Sequence, residues 1–199
     1  MIRGEQKVYL VRHGETEWSR DGRHTSVTDV SLTEAGRMAA RRLQAALGKE
    51  VFALILTSPL QRARETCELA GLGKQASIEP DLTEWNYGEY EGLTTKQIQV
   101  ARVGWSLFRD GCPGGEMPEE VAARADRIIA KIHKAEENVA LFAHGHILRV
   151  LAARWINLPV NYGEYFLLDT ATLNVLGYYY NSPALKVWNA PLAGLEKDN

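Results

Sequence analysis

The sequence predicts an α/β fold, a three-layer sandwich in which a mainly parallel sheet carries helices on both faces. Strand-like apolar runs alternate with helix-like segments along the chain, a pattern typical of strands joined by crossover helices. Two of the runs, Val8–Val11 and Val139–Ala143, lead into turns that carry a histidine followed by a glycine. The 199 residues are predicted to form a single domain, residues 1–199, that buries about 70% of its unfolded surface.

The first elements follow from apolar runs and helix caps. Val8–Val11 is an uninterrupted apolar run and is predicted to be a buried strand. Thr33 can cap a helix that runs to about Leu47, with Gly48 as its C′ residue. Phe52–Leu56 is then expected to form the next buried strand.

A second helix is predicted directly after that strand. Ser58 is a typical N-cap residue, Pro59 suits the first helical position, and Gln61 completes a capping box. We expect the helix to end at Gly71. A short strand is predicted around Ser77–Glu79.

The second half of the chain repeats the strand–turn–helix pattern. Residues 118–135 are predicted to form an amphipathic helix, because four apolar residues recur at helical spacing: Val121, Ala125, Ile128 and Ile132. A strand at 139–143 and a helix from about 146 to 156 follow. Two closing strands are expected at 166–168 and 172–180.

The composition excludes several classes of protein. The formal net charge is −2 and the sequence pI is about 6.2, so a positive field broad enough for nucleic acid is not expected. Cys67 and Cys112 form no CxxC motif, so neither a disulfide framework nor a zinc knuckle is indicated, and free thiols suit a reducing compartment. With no signal-peptide pattern and no membrane-spanning run, we expect a cytoplasmic protein that does not bind membranes.

A bipartite site is predicted at the ends of the two strands. Arg12, His13 and Gly14 follow the first strand, where ligands usually bind in α/β proteins. A lone histidine there is most simply explained by a hydrogen bond to the backbone. His144 and Gly145 follow the second strand in the same way, so we expect the two turns to form one site. The adjacent arginine indicates a phosphate.

Arg62 is a further candidate ligand for that phosphate. A cation is unfavourable near a helix N-terminus, whereas the same position after a strand is a natural anion site. Arg62 is therefore explained better by a bound phosphate than by solvent, although a solvated arginine is the simpler interpretation in isolation. Arg64 lies on another face of the helix and fits the solvated interpretation.

An acidic, aromatic loop at residues 84–92 offers a proton donor. Burial beside aromatic side chains raises the pKa of a carboxyl group toward values useful to a general acid. Glu84, Glu89 and Glu91 all qualify, and spacing alone does not separate them. His144 and His146 form an HxH pair, but a third metal ligand at suitable spacing is lacking, so we expect no metal and no cofactor.

With these residues in view, the chain resembles the histidine phosphatase superfamily, the phosphoglycerate mutase-like proteins. The resemblance extends over nearly the whole length and lies in motifs that occur in the family's order: Arg12–Thr16, Thr25 with Asp29, Leu32–Gly36, Thr57–Pro59, Arg62–Ala63, Glu65–Thr66, Leu82–Glu84, Gly88, Glu91–Gly92 and Ala143–His146. The resemblance implies a phosphoglycerate mutase-like fold.

The resemblance also implies a role for each central residue. His13 is the phosphorylated nucleophile, and Arg12, Arg62 and a protonated His144 form the phosphate pocket. The family register selects Glu84 as the proton donor. Because the cations are protein groups, the implied phosphohistidine mechanism requires no metal.

Two branches of the superfamily fit less well. Secreted acid phosphatases place an arginine where Thr16 stands and a histidine–aspartate pair where His144 is followed by Gly145. Phosphoglycerate mutases proper carry Glu-Arg-His-Tyr-Gly where this chain has Glu84–Gly88, and they are longer. The chain also differs from many members at Ser19, where they have asparagine and this chain has a shorter side chain for the phosphate contact. Within the superfamily, the chain resembles the sedoheptulose bisphosphatase type and short bacterial acid phosphatases.

A further set of residues is expected to bind the rest of the substrate. Arg149 lies one turn beyond His146 and can point back toward the site. The full set of substrate-binding candidates is Ser19, Thr25, Ser26, Ser58, Tyr87, Gly145 and Arg149. Surface solvation is the simpler explanation for Arg149 and the hydroxyls; a polyhydroxylated, twice-phosphorylated sugar is the alternative.

Three functions are compatible with the sequence. The favoured one is a metal-independent phosphomonoesterase that acts on small phosphorylated metabolites such as sugar phosphates or sugar bisphosphates. A cofactor-dependent phosphoglycerate mutase would need a closed, dry pocket, and the short, glycine-rich stretch 102–116 indicates an open one. A non-catalytic phospholigand-binding protein would be expected to lack His13 or the proton donor. The sequence leaves open whether the chain forms a homodimer.

Overall fold

The computed structural model describes residues 6–192, which are organised around a mixed six-stranded sheet. The strands, in chain order, are β1 (Val8–Arg12), β2 (Leu54–Thr57), β3 (Ser77–Ile78), β4 (Val139–Ala143), β5 (Leu173–Tyr179) and β6 (Ser182–Ala190). Across the sheet their order is β3-β2-β4-β1-β5-β6. The chain therefore has an α/β fold, as the sequence predicts.

The sheet is parallel on one side and antiparallel on the other. β2 pairs in parallel with β3 and β4, and β4 pairs in parallel with β1, Val8 opposite Val139. β1 then pairs antiparallel with β5, and β5 with β6. Because β1 and β4 are parallel neighbours in register, Arg12 lies opposite Ala143 and the turns that follow both strands meet at one edge.

The predicted closing strands are partly wrong. Residues 166–168 form no strand, because their carbonyls bond to side chains: Leu168 O accepts from Arg12 Nη1 at 2.6 Å and Leu167 O from Trp188 Nε1 at 2.7 Å. The strand at 172–180 is present as β5. β6, which carries Trp188, was not predicted.

Helices cover both faces of this sheet. They are α1 (Glu17–Arg20), α2 (Glu34–Leu47), α3 (Gln61–Leu69), α4 (Thr95–Ala101), α5 (Leu107–Asp110), α6 (Pro118–Ala135) and α7 (Gly145–Trp155). The predicted helices correspond to α2, α3, α6 and α7, whereas the short helices α1, α4 and α5 were not foreseen. None of the helices within residues 6–192 is both long and apolar enough to cross a membrane.

Two buried clusters fill the space between the layers, and alternate strand residues supply them. Tyr9 and Val11 of β1 pack with Leu43 and Leu47 of α2 on one face. Val8 and Leu10 belong to the cluster that contains α6 and α7 on the opposite face. The period of two along β1 thus divides its side chains between the two helical layers.

The helix caps agree with the sequence only in part. Thr33 caps α2 as predicted, since its Oγ1 accepts from Gly36 N at 3.0 Å. Gly48 is the C-cap residue in a right-handed conformation (φ −68°), not a left-handed C′ residue. Ser58 does not cap α3: the helix begins at Gln61, whose N–H is satisfied by Asp29 Oδ1 at 2.8 Å from a distant loop.

Candidate active site

A cavity of about 240 Å³ opens at the edge of the sheet where β1 and β4 end. His13 N donates to Ala143 O at 3.0 Å, which ties the first of the two turns to the end of β4. The cavity is lined by Arg12, His13, Ser19, Gly22, Arg23, His24, Thr25, Glu84, Tyr87, Thr95, Gly145, His146, Arg149 and Leu168. The predicted bipartite site thus has a physical counterpart at the expected edge.

His13 is held with one ring nitrogen available. Its Nδ1 lies 2.8 Å from Gly14 O, and because a carbonyl can only accept, Nδ1 carries the proton. Within residues 6–192, Nε2 has no hydrogen-bond partner and is not sealed from solvent. Burial, with Arg12 and Arg62 as further causes, lowers the pKa of His13 to about 3. The imidazole is therefore neutral near pH 7 and has a lone pair on Nε2.

Gly14 allows two backbone segments to approach closely. A Cβ at this position would lie 2.5 Å from Gly36 O, so the glycine lets the turn pack against the first turn of α2. Its N–H donates to Thr66 Oγ1 at 3.0 Å. These two contacts hold the backbone of the turn that carries His13.

Arg12 presents an unsatisfied donor at the cavity. Its Nη1 donates to Leu168 O and its Nε is buried without a partner, whereas its Nη2 has no partner among the described residues and is not sealed from solvent. A buried guanidinium N–H left unpaired is costly unless an acceptor is supplied. The site therefore suits an anionic ligand that accepts a hydrogen bond from Arg12.

Arg62 and His144 lie behind the cavity wall, not on its surface. Neither residue has exposed surface. Arg62 Nε donates to His144 Nδ1 at 3.2 Å, and His144 Nε2 lies 2.7 Å from Ser58 Oγ. Burial, and next the charge of Arg62, holds the pKa of His144 well below its usual 6.5. His144, which the resemblance implies to be protonated, is thus a neutral imidazole.

The guanidinium of Arg62 also organises the loop at residues 25–28. It donates to the carbonyls of Thr25, Ser26 and Thr28 at 3.2, 3.0 and 3.0 Å. From the other side, the Glu91 carboxylate accepts from Ser26 N and Thr28 N at 2.9–3.1 Å. A buried cation and a carboxylate therefore hold one loop by its carbonyls and its amides.

Glu84 is the carboxylate that the structure brings to the cavity. Its oxygens accept from the backbone N–H of Trp85 and from those of His146 and Ile147 in the first turn of α7, at 2.9–3.2 Å. Burial raises its pKa, but the contacts with His146 outweigh burial and hold the pKa well below 4.5. The expectation of a raised pKa for Glu84 is therefore wrong. Glu89 is exposed.

The predicted substrate-binding residues divide into two groups. Those that line the cavity are Ser19, Thr25, Tyr87, Gly145 and Arg149. Ser26 and Ser58 do not, because both side chains are fully buried. The Ser58 hydroxyl is held by His144, and the Ser26 Oγ is without a partner in the described part of the chain.

Two residues that line the cavity, Ser19 and Arg149, already form hydrogen bonds with backbone groups of the protein. Ser19 Oγ lies 2.9 Å from Thr16 N and 3.0 Å from Thr16 O, so it belongs to the cap of α1. Arg149 donates through Nε to Gly163 O and through Nη2 to Glu164 O, at 3.0 and 2.8 Å. Its guanidinium also stacks on Phe108 at 4.7 Å. Arg149 thus points back to the cavity, as predicted, but is already anchored.

Sequence reasoning missed several residues that line the cavity, His24 and His146 above all. His146 was considered only as a metal ligand, and His24 lies in a loop with no periodicity. The loop reaches the site through backbone pairing, since His24 N donates to Leu93 O at 2.8 Å and Gly92 N to His24 O at 2.8 Å. Only the HxH pattern at His146 carried a usable signal. Residues 6–192 contain no cluster of three or more potential metal ligands.

Comparison with known proteins finds one family and relatives that are named as phosphatases. A model of the histidine phosphatase superfamily (branch 1) matches residues 8–191. An acid phosphatase of Mycobacterium tuberculosis is 38% identical over 185 residues, 91% of each chain. Sedoheptulose 1,7-bisphosphatase of Saccharomyces cerevisiae is 35% identical over 190 residues, 77% of this chain and 69% of the relative.

Solved structures give the same result. The product of open reading frame Rv3214 of M. tuberculosis superposes with a TM-score of 0.89 at 37% identity, covering 94% of this chain and 98% of that one. The α-ribazole phosphatase of Shigella flexneri superposes with a TM-score of 0.81 at 26% identity, covering 96% and 100%.

Proposed function

The chain belongs to the histidine phosphatase superfamily, and from this premise we propose that it hydrolyses phosphate monoesters of small polyhydroxylated metabolites through a phosphohistidine on His13. The observation that carries the proposal is that a neutral His13 has a free Nε2 and that the adjacent Arg12 has a free Nη2, neither of them sealed from solvent. One atom can attack phosphorus and the other can bind a phosphoryl oxygen.

In the first step, the Nε2 lone pair of His13 forms a bond to phosphorus and the P–O ester bond breaks. Arg12 holds a phosphoryl oxygen, and the departing alkoxide takes a proton from Glu84. Arg62 contributes its positive charge from behind His13 and fixes His144, whose imidazole lies 5.1 Å from that of His13, centroid to centroid. The products are phosphohistidine and the free alcohol.

Glu84 must take up its proton from solvent as the substrate binds. The low pKa of Glu84 makes it a carboxylate before the substrate binds. A dianionic ester bound nearby raises the pKa of Glu84 and of His144, because each then faces added negative charge. In the second step, Glu84 takes a proton from water while the water oxygen attacks phosphorus and the P–N bond breaks. Phosphate leaves, and His13 regains its lone pair.

The substrate class is supported by the cavity and by the relatives. The wall beyond His13 carries hydroxyls, imidazoles and the guanidinium groups of Arg23 and Arg149, which suit a polar leaving group. Relatives include a sedoheptulose 1,7-bisphosphatase and, at 31% identity over 172 residues, the glucosyl-3-phosphoglycerate phosphatase of M. tuberculosis. Both names describe phosphates of polyhydroxylated compounds.

The test is to trap the intermediate. The protein is mixed with ³²P-labelled sugar phosphate and denatured in alkaline detergent, which preserves phosphohistidine. Label should be found on His13, and His13→Asn should lose label and phosphate release by several orders of magnitude while the protein stays folded. Arg64→Lys, on the exposed face of α3, is the matched control. Retained turnover in His13→Asn, or loss of turnover after chelation of divalent metals, would contradict the proposal.

A further inference from the structure

His146 lines the cavity beside the proposed proton donor. Its backbone N–H donates to Glu84 Oε2 at 3.0 Å, and its ring Nδ1 lies 3.7 Å from the same oxygen, so the ring is next to the proposed proton donor. Its Nδ1 is 2.5 Å from the hydroxyl of buried Tyr87. Nε2 has no hydrogen-bond partner within the described chain and is not sealed from solvent, and the side chain is 21% exposed.

His24 offers a second imidazole in the same wall. Its Nε2 lies 3.2 Å from Thr95 Oγ1, while Nδ1 is left without a partner among residues 6–192. The rings of His24 and His146 are 5.8 Å apart, centroid to centroid. His24 also packs on Tyr87 at 4.7 Å and on Trp105 at 5.7 Å. Each histidine thus has one anchored nitrogen and one nitrogen available to a ligand.

We propose that Nδ1 of His24 and Nε2 of His146 bind hydroxyl groups of the leaving alcohol and so select polyhydroxylated substrates. The proposal rests on the phosphomonoesterase function argued above. It assigns a substrate-binding role to two ring nitrogens that take no part in the phosphohistidine steps.

Hydroxyl groups fit these two nitrogens better than a second phosphate does. Burial is the main cause that lowers the pKa of His24, to about 3, and that of His146, so both rings are neutral near pH 7. A neutral imidazole nitrogen donates or accepts according to its tautomer, and a hydroxyl can do either. The aromatic packing fixes both rings before the ligand arrives, which limits the entropy lost on binding.

The test uses two substrates that differ only in their hydroxyls, erythritol 4-phosphate and butyl phosphate. The readout is the ratio of kcat/KM for the first to kcat/KM for the second. Each histidine is replaced by both asparagine and glutamine, because the asparagine amide occupies the position of Nδ1 and the glutamine amide that of Nε2. His133→Gln, on α6 and outside the cavity, is the control.

We expect a crossed pattern. His146→Asn and His24→Gln, which lose the free nitrogen, should each lower the ratio about three- to tenfold. His146→Gln and His24→Asn, which keep a polar group at that position, should retain most of the ratio. Purely structural roles predict the reverse order, because His146→Asn keeps the contact with Tyr87 and His24→Gln keeps the contact with Thr95.

The outcomes separate the inference from the function it rests on. If the unaltered protein releases phosphate from neither ester, the proposed function fails. If it hydrolyses both esters and the ratio is unchanged in all four variants, or falls in the reverse order, the hydroxyl-binding role is overturned. The two histidines are tested independently, so one variant that does not fold leaves the other pair decisive.

Discussion

Arg62 Nε donates to Nδ1 of His144 at 3.2 Å, and neither side chain has any exposed surface. The bond fixes the tautomer of His144, because its Nδ1 must accept and the proton must then lie on Nε2, toward Ser58. Arg62 therefore has two tasks in one position. It orients an imidazole beside His13, and it holds the loop at residues 25–28 that forms part of the cavity wall.

The first prediction separates these tasks from simple charge. Arg62→Lys keeps the positive charge but cannot reach four acceptors at once, so buried carbonyls lose their donor. We expect the free energy of unfolding to fall by at least about 2 kcal/mol, together with a loss of kcat/KM. Urea denaturation measures the first effect. Arg64→Lys, on the same helix but exposed, should change neither. A variant of wild-type stability that is inactive would show that Arg62 acts on the phosphate alone.

For Arg62, the sequence indicated that the side chain has a partner but not which partner it has. Its unfavourable position at a helix N-terminus indicated a partner, and the partner was assumed to be a phosphate. In the structure the partners are three carbonyls of a loop that lies 34–37 residues away in sequence. Local patterns carry no information about such long-range partners.

Strands were predicted well where an apolar run was uninterrupted, as at β1 and β4, because burial on both faces leaves a signal in the residues themselves. The strand expected at residues 166–168 fails for a different reason. Its carbonyls are taken by Arg12 and Trp188, two side chains distant in sequence. The turns at the strand ends of the candidate site were therefore predictable. The position of His24 in the cavity wall and the complete burial of His144 were not.

The second prediction concerns the three loop glutamates. Glu84→Gln should slow hydrolysis of sugar phosphates about 10²- to 10⁴-fold, because their alkoxides need a proton to leave. p-Nitrophenyl phosphate should be affected much less, since nitrophenolate leaves without one. Steady-state kinetics on both substrates measure the difference.

Two matched variants complete that series. Glu91→Gln should have an intermediate effect on both substrates, because it weakens the hold on Ser26 N and Thr28 N. Glu89→Gln, at an exposed position, should behave like the unaltered protein. A selective loss on sugar phosphates in Glu89→Gln would transfer the role of proton donor to Glu89.

The third prediction links the buried histidines to stability in acid. His13 and His24 have pKa values of about 3 in the folded protein, against about 6.5 in the unfolded chain. Between these values the unfolded chain binds more protons, so lowering the pH through this window favours unfolding. Near pH 5 each histidine should remove up to about 1.4 kcal/mol of stability per pH unit.

Urea denaturation at pH 7, 6 and 5 measures that slope. His24→Asn should reduce the slope by the contribution of one histidine, up to about 1.4 kcal/mol per pH unit, because the group that gains a proton on unfolding is gone. A slope identical to that of the unaltered protein would mean that His24 is already protonated in the folded state at pH 5.

The last prediction concerns Arg149. Its Nε and Nη2 are anchored to backbone carbonyls, whereas Nη1 has no partner in the described chain and is not sealed from solvent, so Nη1 can bind an anionic group at the far end of a substrate. Arg149→Ala should lower kcat/KM for a sugar bisphosphate such as sedoheptulose or fructose bisphosphate about 10- to 150-fold, equivalent to about 1.5–3 kcal/mol for one charge-assisted contact. The effect on a small aryl phosphate should be much smaller. Arg154→Ala, on the same helix and paired with Asp126 outside the cavity, is the control. Equal losses on both substrates would mean that Arg149 serves the carbonyls of Gly163 and Glu164 and its stacking on Phe108, and that a second phosphate is not its ligand.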